Sequence, residues 1–483
     1  MIDEIRAERL KKLELLREQG MEPYPARSEQ SHTLAALAKQ FEGLVESGDP
    51  VTVVGRVMSR RGQGALSFVD LFDGTGRFQA VLKVDAMDEA NYQLFQAAVD
   101  QGDFIEVTGV CFTTQRGQPS VLASSWRMLT KSLLPLPDEW YGLKDEDERF
   151  RKRYLDMLMN PEVREMVEQK SRFWRVVREF MQEQGFLEVE TPVLETTTGG
   201  ADATPFETHH NALDIDVYLR ISAGELWQKK LLAAGLPAVF EIGRIFRNEG
   251  MSAEHLQDYT QMEFYQAYAD FESGMPMIRE LYRRIARDVF GTEQFSIRGH
   301  EVDLAGEWER FDYCALIRER FGIDPLETTL EEVRAKLEEL GVDTSEVENL
   351  ERGVDTLWKQ MRKEITGPGF LVNIPVYLEP LAKRSAEDPR VVERFQVLIA
   401  GSELGKGYSE LNDPQDQRAR FEEQQQLRDA GDAEAQMADW DFVEALEYGM
   451  PPALGFGMSE RLFAFLADRP ARETQLFPLM RPR

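Results

Sequence analysis

The segment from Ala238 to Tyr265 constrains this chain more than any other. Ala238-Val-Phe-Glu-Ile242 alternates apolar and polar residues, and so does Tyr259 to Tyr265, which makes each a half-buried strand. Between them, Phe246-Arg-Asn-Glu249 through His255 to Glu263 sets an arginine, a carboxylate, a histidine and an aromatic around one turn. A polar hairpin of this kind can hold a nucleotide's phosphates with Arg247 while an aromatic packs on the base. Arg247 and Glu249 can equally form a solvated ion pair, so the hairpin decides nothing by itself.

Two further segments add weight. Upstream, Asn160 can cap and Pro161 can start a helix that keeps Val163, Met166, Val167, Trp174, Val177 and Met181 on one face until Gly185. It leads into the proline-broken strand Phe186-Leu-Glu-Val-Glu-Thr-Pro192. Near the C-terminus, Gly455-Phe-Gly-Met-Ser-Glu-Arg461 runs into the apolar helix Leu462 to Leu466. Its glycines permit close backbone approach, and Arg461 stands at a helix start that favours phosphate. In this order the three segments resemble motifs 1, 2 and 3 of the class II aminoacyl-tRNA synthetases.

With 483 residues, 42% of them hydrophobic and 30% charged, the chain can bury two or three domain cores. No apolar run is long enough to span a membrane. The acidic, charged N-terminus is the opposite of a signal peptide, which points to the cytoplasm. Cys111 and Cys314 are isolated, which argues against disulfides and a zinc site. The net charge of -29 runs against nucleic-acid binding unless basic residues are concentrated locally. Arg60-Arg61 and Arg149-Phe-Arg-Lys-Arg153 are the best such clusters, and either can also be a solvated run.

An α+β organisation in three pieces is expected. Residues 1–48 form a helical arm with Ile2, Ile5, Leu13 and Leu16 roughly on one face. Residues 49–132 alternate short strands with Gly-containing turns, the pattern of a small closed OB-type barrel. Residues 133–483 form a large domain on an antiparallel sheet flanked by helices, because hairpins join its strands where βαβ spacing would be needed for a parallel one. A charged helical insertion at about 325–365 reads as a solvated hairpin.

Carboxylates recur at Glu225, Glu263 and Glu410, a set that suits a cationic ligand. From about residue 50 to Arg483 the chain resembles the class II lysyl-tRNA synthetases. The resemblance is carried by Leu136-Pro-Asp-Glu-Trp-Tyr-Gly142, Arg153-Tyr-Leu-Asp156, Thr208-His-His-Asn-Ala-Leu213, Phe246-Arg-Asn-Glu-Gly250, Ser409-Glu-Leu-Asn-Asp413 and Phe477-Pro-Leu-Met-Arg481. It implies activation of L-lysine with ATP and transfer to the 3' terminal adenosine of tRNA(Lys) by a homodimer joined through the motif 1 helix and strand. Glu263, Tyr265 and Glu410 would hold the ε-ammonium, Glu225 and the Gly200 backbone the α-amino group, and Tyr408 would wall the stem. Arg247 would bridge the lysine carboxylate and the α-phosphate. Glu249, His255, Tyr259 and Arg461 would contact ATP, with Tyr259 under the adenine and Arg461 on the γ-phosphate. Glu403 would bind Mg2+. In the barrel, Phe68 would stack on an anticodon base while Arg61 and Gln79 hydrogen-bond to others; a strand Phe can equally belong to the core.

Three positions depart from the family pattern. Gln396 replaces a second metal carboxylate, Lys406 replaces an asparagine that contacts the amino acid's carboxylate, and motif 3 is one residue short before Glu460-Arg461. Two rival readings remain: a barrel-less relative that lysylates a protein, opposed by residues 51–130, and a catalytically silent homologue.

Overall fold

The structure, a computed structural model, describes residues 2–62, 64–137, 143–201, 203–250, 255–345, 347–429 and 436–483. The end of the Leu136 to Gly142 string and the middle of the Arg247 to Asp258 turn therefore lie outside the described residues. The chain forms two compact units, Met1–Arg149 and Phe150–Arg483. Among the described residues no helix is long and apolar enough to cross a membrane.

In the first unit, Pro50–Arg61, Leu66–Phe72, Arg77–Lys83, Phe104–Thr113 and Pro119–Thr130 close into a five-stranded barrel. Alternation fills it: Val51, Val53 and Val57, then Val69 and Leu71, then Ala80 and Leu82 point into one core. The arm is two helices, Ile2–Glu18 and Leu34–Ser47. Leu13 and Leu16 are buried, while Ile2 is exposed. A buried Arg9 anchors the first helix by donating to the backbone oxygens of Gln101, Ser132 and Leu134.

The second unit is built on an eight-stranded sheet. Its order is Glu309–Asp312, Gly369–Val372, Arg394–Ile399, Ser402–Ser409, Ala453–Ser459, Asp258–Ala267, Ala238–Phe246 and Leu187–Glu188. The six central strands pair antiparallel, as hairpin connectivity demands; only the short strand at each edge pairs parallel. Period-two alternation separates two cores. Met262, Phe264, Phe395, Leu454, Phe456 and Met458 pack with the helices Pro161–Glu183 and Phe271–Ile285. Tyr265, Leu398 and Tyr408 face the helix Glu225–Ala233 and the insertion.

Pro161 does begin the long amphipathic helix, which buries Phe173 and Phe180 as well as Val163, Met166, Val177 and Met181, while Val167 and Trp174 are only partly buried. Asn160 occupies the cap position without capping: its Nδ2 donates instead to Asp156 Oδ1 at 2.6 Å. The insertion is not merely solvated. Its helices Leu330–Glu339 and Leu350–Met361 bury Val333, Leu337, Val354, Leu357 and Trp358 against the sheet's second core.

Candidate active site

On the second face of the sheet, strand alternation sends every other side chain into one cavity of about 410 Å³. Glu263 and Tyr265 reach it from Asp258–Ala267, Glu403, Lys406 and Tyr408 from Ser402–Ser409, and Arg394 and Gln396 from the neighbouring strand. The strand Ala453–Ser459 contributes Gly455 and Gly457 on this face, which leaves space above it. A Cβ at Gly455 would collide with Glu410 Oε1 and the Tyr265 ring. Gly200, Glu225, Arg247, Tyr259 and Arg461 complete the part of the lining expected from sequence. Gly200 adopts a φ of +85°, and a Cβ there would lie 2.7 Å from Glu225 Oε2. Only glycine brings its backbone this close to the carboxylate.

The floor is acidic. Glu225, Glu263 and Glu410 are all buried. Glu263 Oε1 accepts from the Ala223 backbone N–H at 2.8 Å and from Gln261 Nε2 at 2.5 Å, and Glu263 Oε2 accepts from the Tyr265 hydroxyl at 3.0 Å. Tyr408 donates its hydroxyl to Glu225. Glu410 lies behind Gly455, and its Oε1 has no hydrogen-bond partner among the described residues. Lys229, one helical turn after Glu225, places Nζ 2.7 Å from Glu225 Oε1 and 2.6 Å from Glu410 Oε2. Burial, helped by the Glu225 charge, pushes Glu263 up to about 7. Burial pushes Glu410 up to about 8 even though Lys229 opposes it. Burial alone would lower the Lys229 pKa; Glu225 and Glu410 outweigh it and hold the ammonium charged.

The opposite wall is cationic and carries residues that sequence reasoning missed. Glu379 is buried, and burial would raise its pKa, but Arg394 at 3.0 Å and Lys406 at 3.1 Å hold it below the usual carboxylate range. Lys406 thus rests on Glu379, a partner that only the fold supplies. Gln396 accepts from Arg394. Trp358, from the insertion helix, donates Nε1–H to Glu403 Oε1 at 2.7 Å. The Arg247 guanidinium packs 5.8 Å from the centre of the Tyr259 ring and donates Nε–H to the Ile221 carbonyl at 3.3 Å. Glu249 and His255 are exposed on the turn and do not line the cavity.

Among the described residues no group of three His, Cys, Asp or Glu side chains is placed to hold a metal ion. Glu403 offers a carboxylate beside the cationic wall, and Glu351, Asp355 and Glu379 also line the cavity among the described residues. That suits a divalent ion carried mostly by nucleotide phosphates and water, as magnesium commonly is.

In the barrel, Arg61 and Phe68 are cross-strand partners, and Asp70 pairs with Gln79, so the three expected base-reading residues share one face. Phe68 is half-buried and lies outside the barrel core. Gln79 Oε1 accepts from Ser120 Oγ at 3.0 Å. The two basic clusters are partly structural. Arg60 donates to the Val99 carbonyl at 2.8 Å and stacks on Phe95. Arg153 is buried and pairs with Asp156 at 2.6 Å.

An antiparallel sheet with acidic floor, arginines at the mouth and a preceding OB barrel defines a class. The family model for class II tRNA synthetases (D, K and N) matches residues 145–481, and that for the OB-fold nucleic acid binding domain matches residues 51–129. The chain belongs to the class II tRNA synthetases of this D, K and N group. Its whole length aligns with lysine–tRNA ligases of Thermotoga maritima, 41% identical over 97% of that protein, and Moorella thermoacetica, 44% over 98%. The lysine–tRNA ligase of Roseiflexus sp. is 42% identical over 99% of its length.

Proposed function

We propose that this chain is a lysine–tRNA ligase, which joins L-lysine to ATP as lysyl-adenylate and then passes lysine to the 3' terminal adenosine of tRNA(Lys). The observation that carries the reading is the buried trio Glu225, Glu263 and Glu410: Glu225 and Glu263 line the cavity together with Arg247 and Arg461, and Glu410 lies against Gly455 at its edge. Desolvated carboxylates favour a ligand that brings its own cations. Glu263, Tyr265 and Glu410 receive the ε-ammonium, with the unpartnered Glu410 Oε1 behind Gly455 as its seat. Glu225 and the Gly200 backbone take the α-ammonium, and Tyr408 walls the stem.

Arg247 holds the lysine carboxylate and the α-phosphate together. One carboxylate oxygen attacks the α-phosphorus in line, the bond to the bridging oxygen breaks, and pyrophosphate leaves with that electron pair. Arg247 and Arg461 meet the charge that develops. Tyr259 lies under the adenine, and Glu249 and His255 make further contacts to ATP. In the second step the ribose hydroxyl of tRNA attacks the adenylate carbonyl, losing its proton as AMP departs. No protein nucleophile is needed. Glu403 would hold Mg2+, which when bound neutralises phosphate charge.

Arg61, Phe68 and Gln79 form the anticodon-reading face of the barrel. The protein works in the cytoplasm as a homodimer through Pro161–Glu183 and the strand after it. Exchange of pyrophosphate into ATP, run with each standard amino acid, tests the assignment: lysine alone supports rapid exchange, and the absence of lysine-dependent exchange refutes it.

A further inference from the structure

Lys229 has no place in the roles above, yet it is the buried cation nearest the floor. Its ammonium is enclosed on every side. Glu225 faces it from its own helix, Tyr408 and Glu410 from the Ser402–Ser409 strand and its continuation, and Tyr265 from Asp258–Ala267. The Phe442 ring, from the helix Trp440–Glu447, lies 5.8 Å away. Glu379 acts on it through its charge from farther off. The adjacent Lys230 points elsewhere, to Asp439 at 3.7 Å.

Three buried carboxylates against one ammonium leave the floor with two negative charges. That number matters because a buried charge without a counter-charge is strongly unfavourable. A ligand with one ammonium leaves a carboxylate unpaired or protonated, and a ligand with two neutralises the floor.

We propose that Lys229 is a built-in counter-cation that sets this pocket for ligands carrying two ammonium groups, an α-amino acid with a side-chain amine being the fitting class. It acts as a positioning residue. Bridging Glu225 and Glu410, it ties the carboxylate assigned to the α-ammonium to one assigned to the ε-ammonium. It thereby fixes their spacing. The proposal rests on the lysine–tRNA ligase reading and deepens it.

Burial first, and the Glu225 charge after it, raise Glu263 to about 7 and Glu410 to about 8 even against Lys229, the direction expected of carboxylates packed together with a single cation. Binding of a two-ammonium ligand expels their protons.

The experiment pairs pyrophosphate exchange with calorimetry of amino-acid binding in buffers of different ionisation enthalpy. Lys229→Met should raise the Michaelis constant for lysine by roughly tenfold or more, with kcat within about threefold, and should increase the protons released per lysine bound. Lys229→Arg should restore the wild-type proton count. Unchanged Michaelis constant and proton count in Lys229→Met would overturn the proposal. Should that variant not fold, the wild type still decides: at about pH 7 lysine should release roughly one proton more than norleucine, and equal release overturns the charge count. Wild-type protein with no lysine-dependent exchange would refute the parent reading instead.

Discussion

Trp358 Nε1–H donates to Glu403 Oε1 across 2.7 Å, tying the helical insertion to the carboxylate that faces the cationic wall. The indole is almost fully buried and packs 5.2 Å from the Tyr313 ring, so this geometry is held by a core and not by a mobile surface. The insertion is part of the cavity wall.

Trp358→Phe keeps most of that packing and removes the donor. A hydrogen bond to a charged group is worth about 1.5–3 kcal/mol, so exchange activity should fall roughly tenfold or more, with an increased requirement for added magnesium. Exchange kinetics at varied magnesium check this, and wild-type magnesium dependence would dissociate Trp358 from Glu403's role.

Gly455 has a different task, which is to be absent above Glu410. Gly455→Ala places a methyl group against Glu410 Oε1 and the Tyr265 ring. The Michaelis constant for lysine should rise roughly a hundredfold while that for ATP changes little. An unchanged lysine constant would show that Glu410 does not receive the substrate.

Proton linkage gives a prediction in pH. Glu263 and Glu410 titrate near 7 and 8 where an ordinary glutamate titrates near 4.5, so the folded protein binds protons that the unfolded chain has released. Their contribution to stability is complete below the unfolded value and is lost as pH rises through the folded values. The melting temperature of the ligand-free protein should therefore drop between about pH 5 and pH 8, and the rise produced by saturating lysine should grow over the same window. The lysine Michaelis constant should fall as pH increases. Differential scanning calorimetry with and without lysine checks both signs.

Much of this was legible in the chain because period-two alternation reports which face a strand residue occupies. Glu263 with Tyr265, and Lys406 with Tyr408, reach one cavity for that reason, while their roles, and the place of Arg247 just beyond its strand, were expected from the family resemblance. Lys229 was hidden because a glutamate and a lysine four apart on a helix ordinarily mark a solvated pair, and only the docking of the helix on the sheet buries this one. Trp358 and Glu379 were missed because their partners lie 45 and 27 residues away, on elements whose approach no local pattern encodes. Arg153 looked like part of a basic patch because its partners include the backbone carbonyls of Glu473 and Gln475, over three hundred residues downstream.

The barrel and the cavity should separate in function. Phe68 is half-buried on the face that carries Arg61 and Gln79. Phe68→Ala should weaken tRNA binding by about 1–3 kcal/mol, the worth of one stacked base, and leave lysine-dependent exchange untouched. Filter binding and exchange, measured on one preparation, check this; parallel losses would mean that Phe68 supports the fold.

The central claim is that the pocket selects its amino acid by positive charge. Norleucine keeps the stem of lysine and lacks the ammonium, and leaving a buried carboxylate unpaired costs about 3–5 kcal/mol. The most direct measurement is kcat/KM for pyrophosphate exchange with lysine and with norleucine, side by side. Lysine should exceed norleucine by at least roughly a hundredfold; near-equal values would contradict selection by charge.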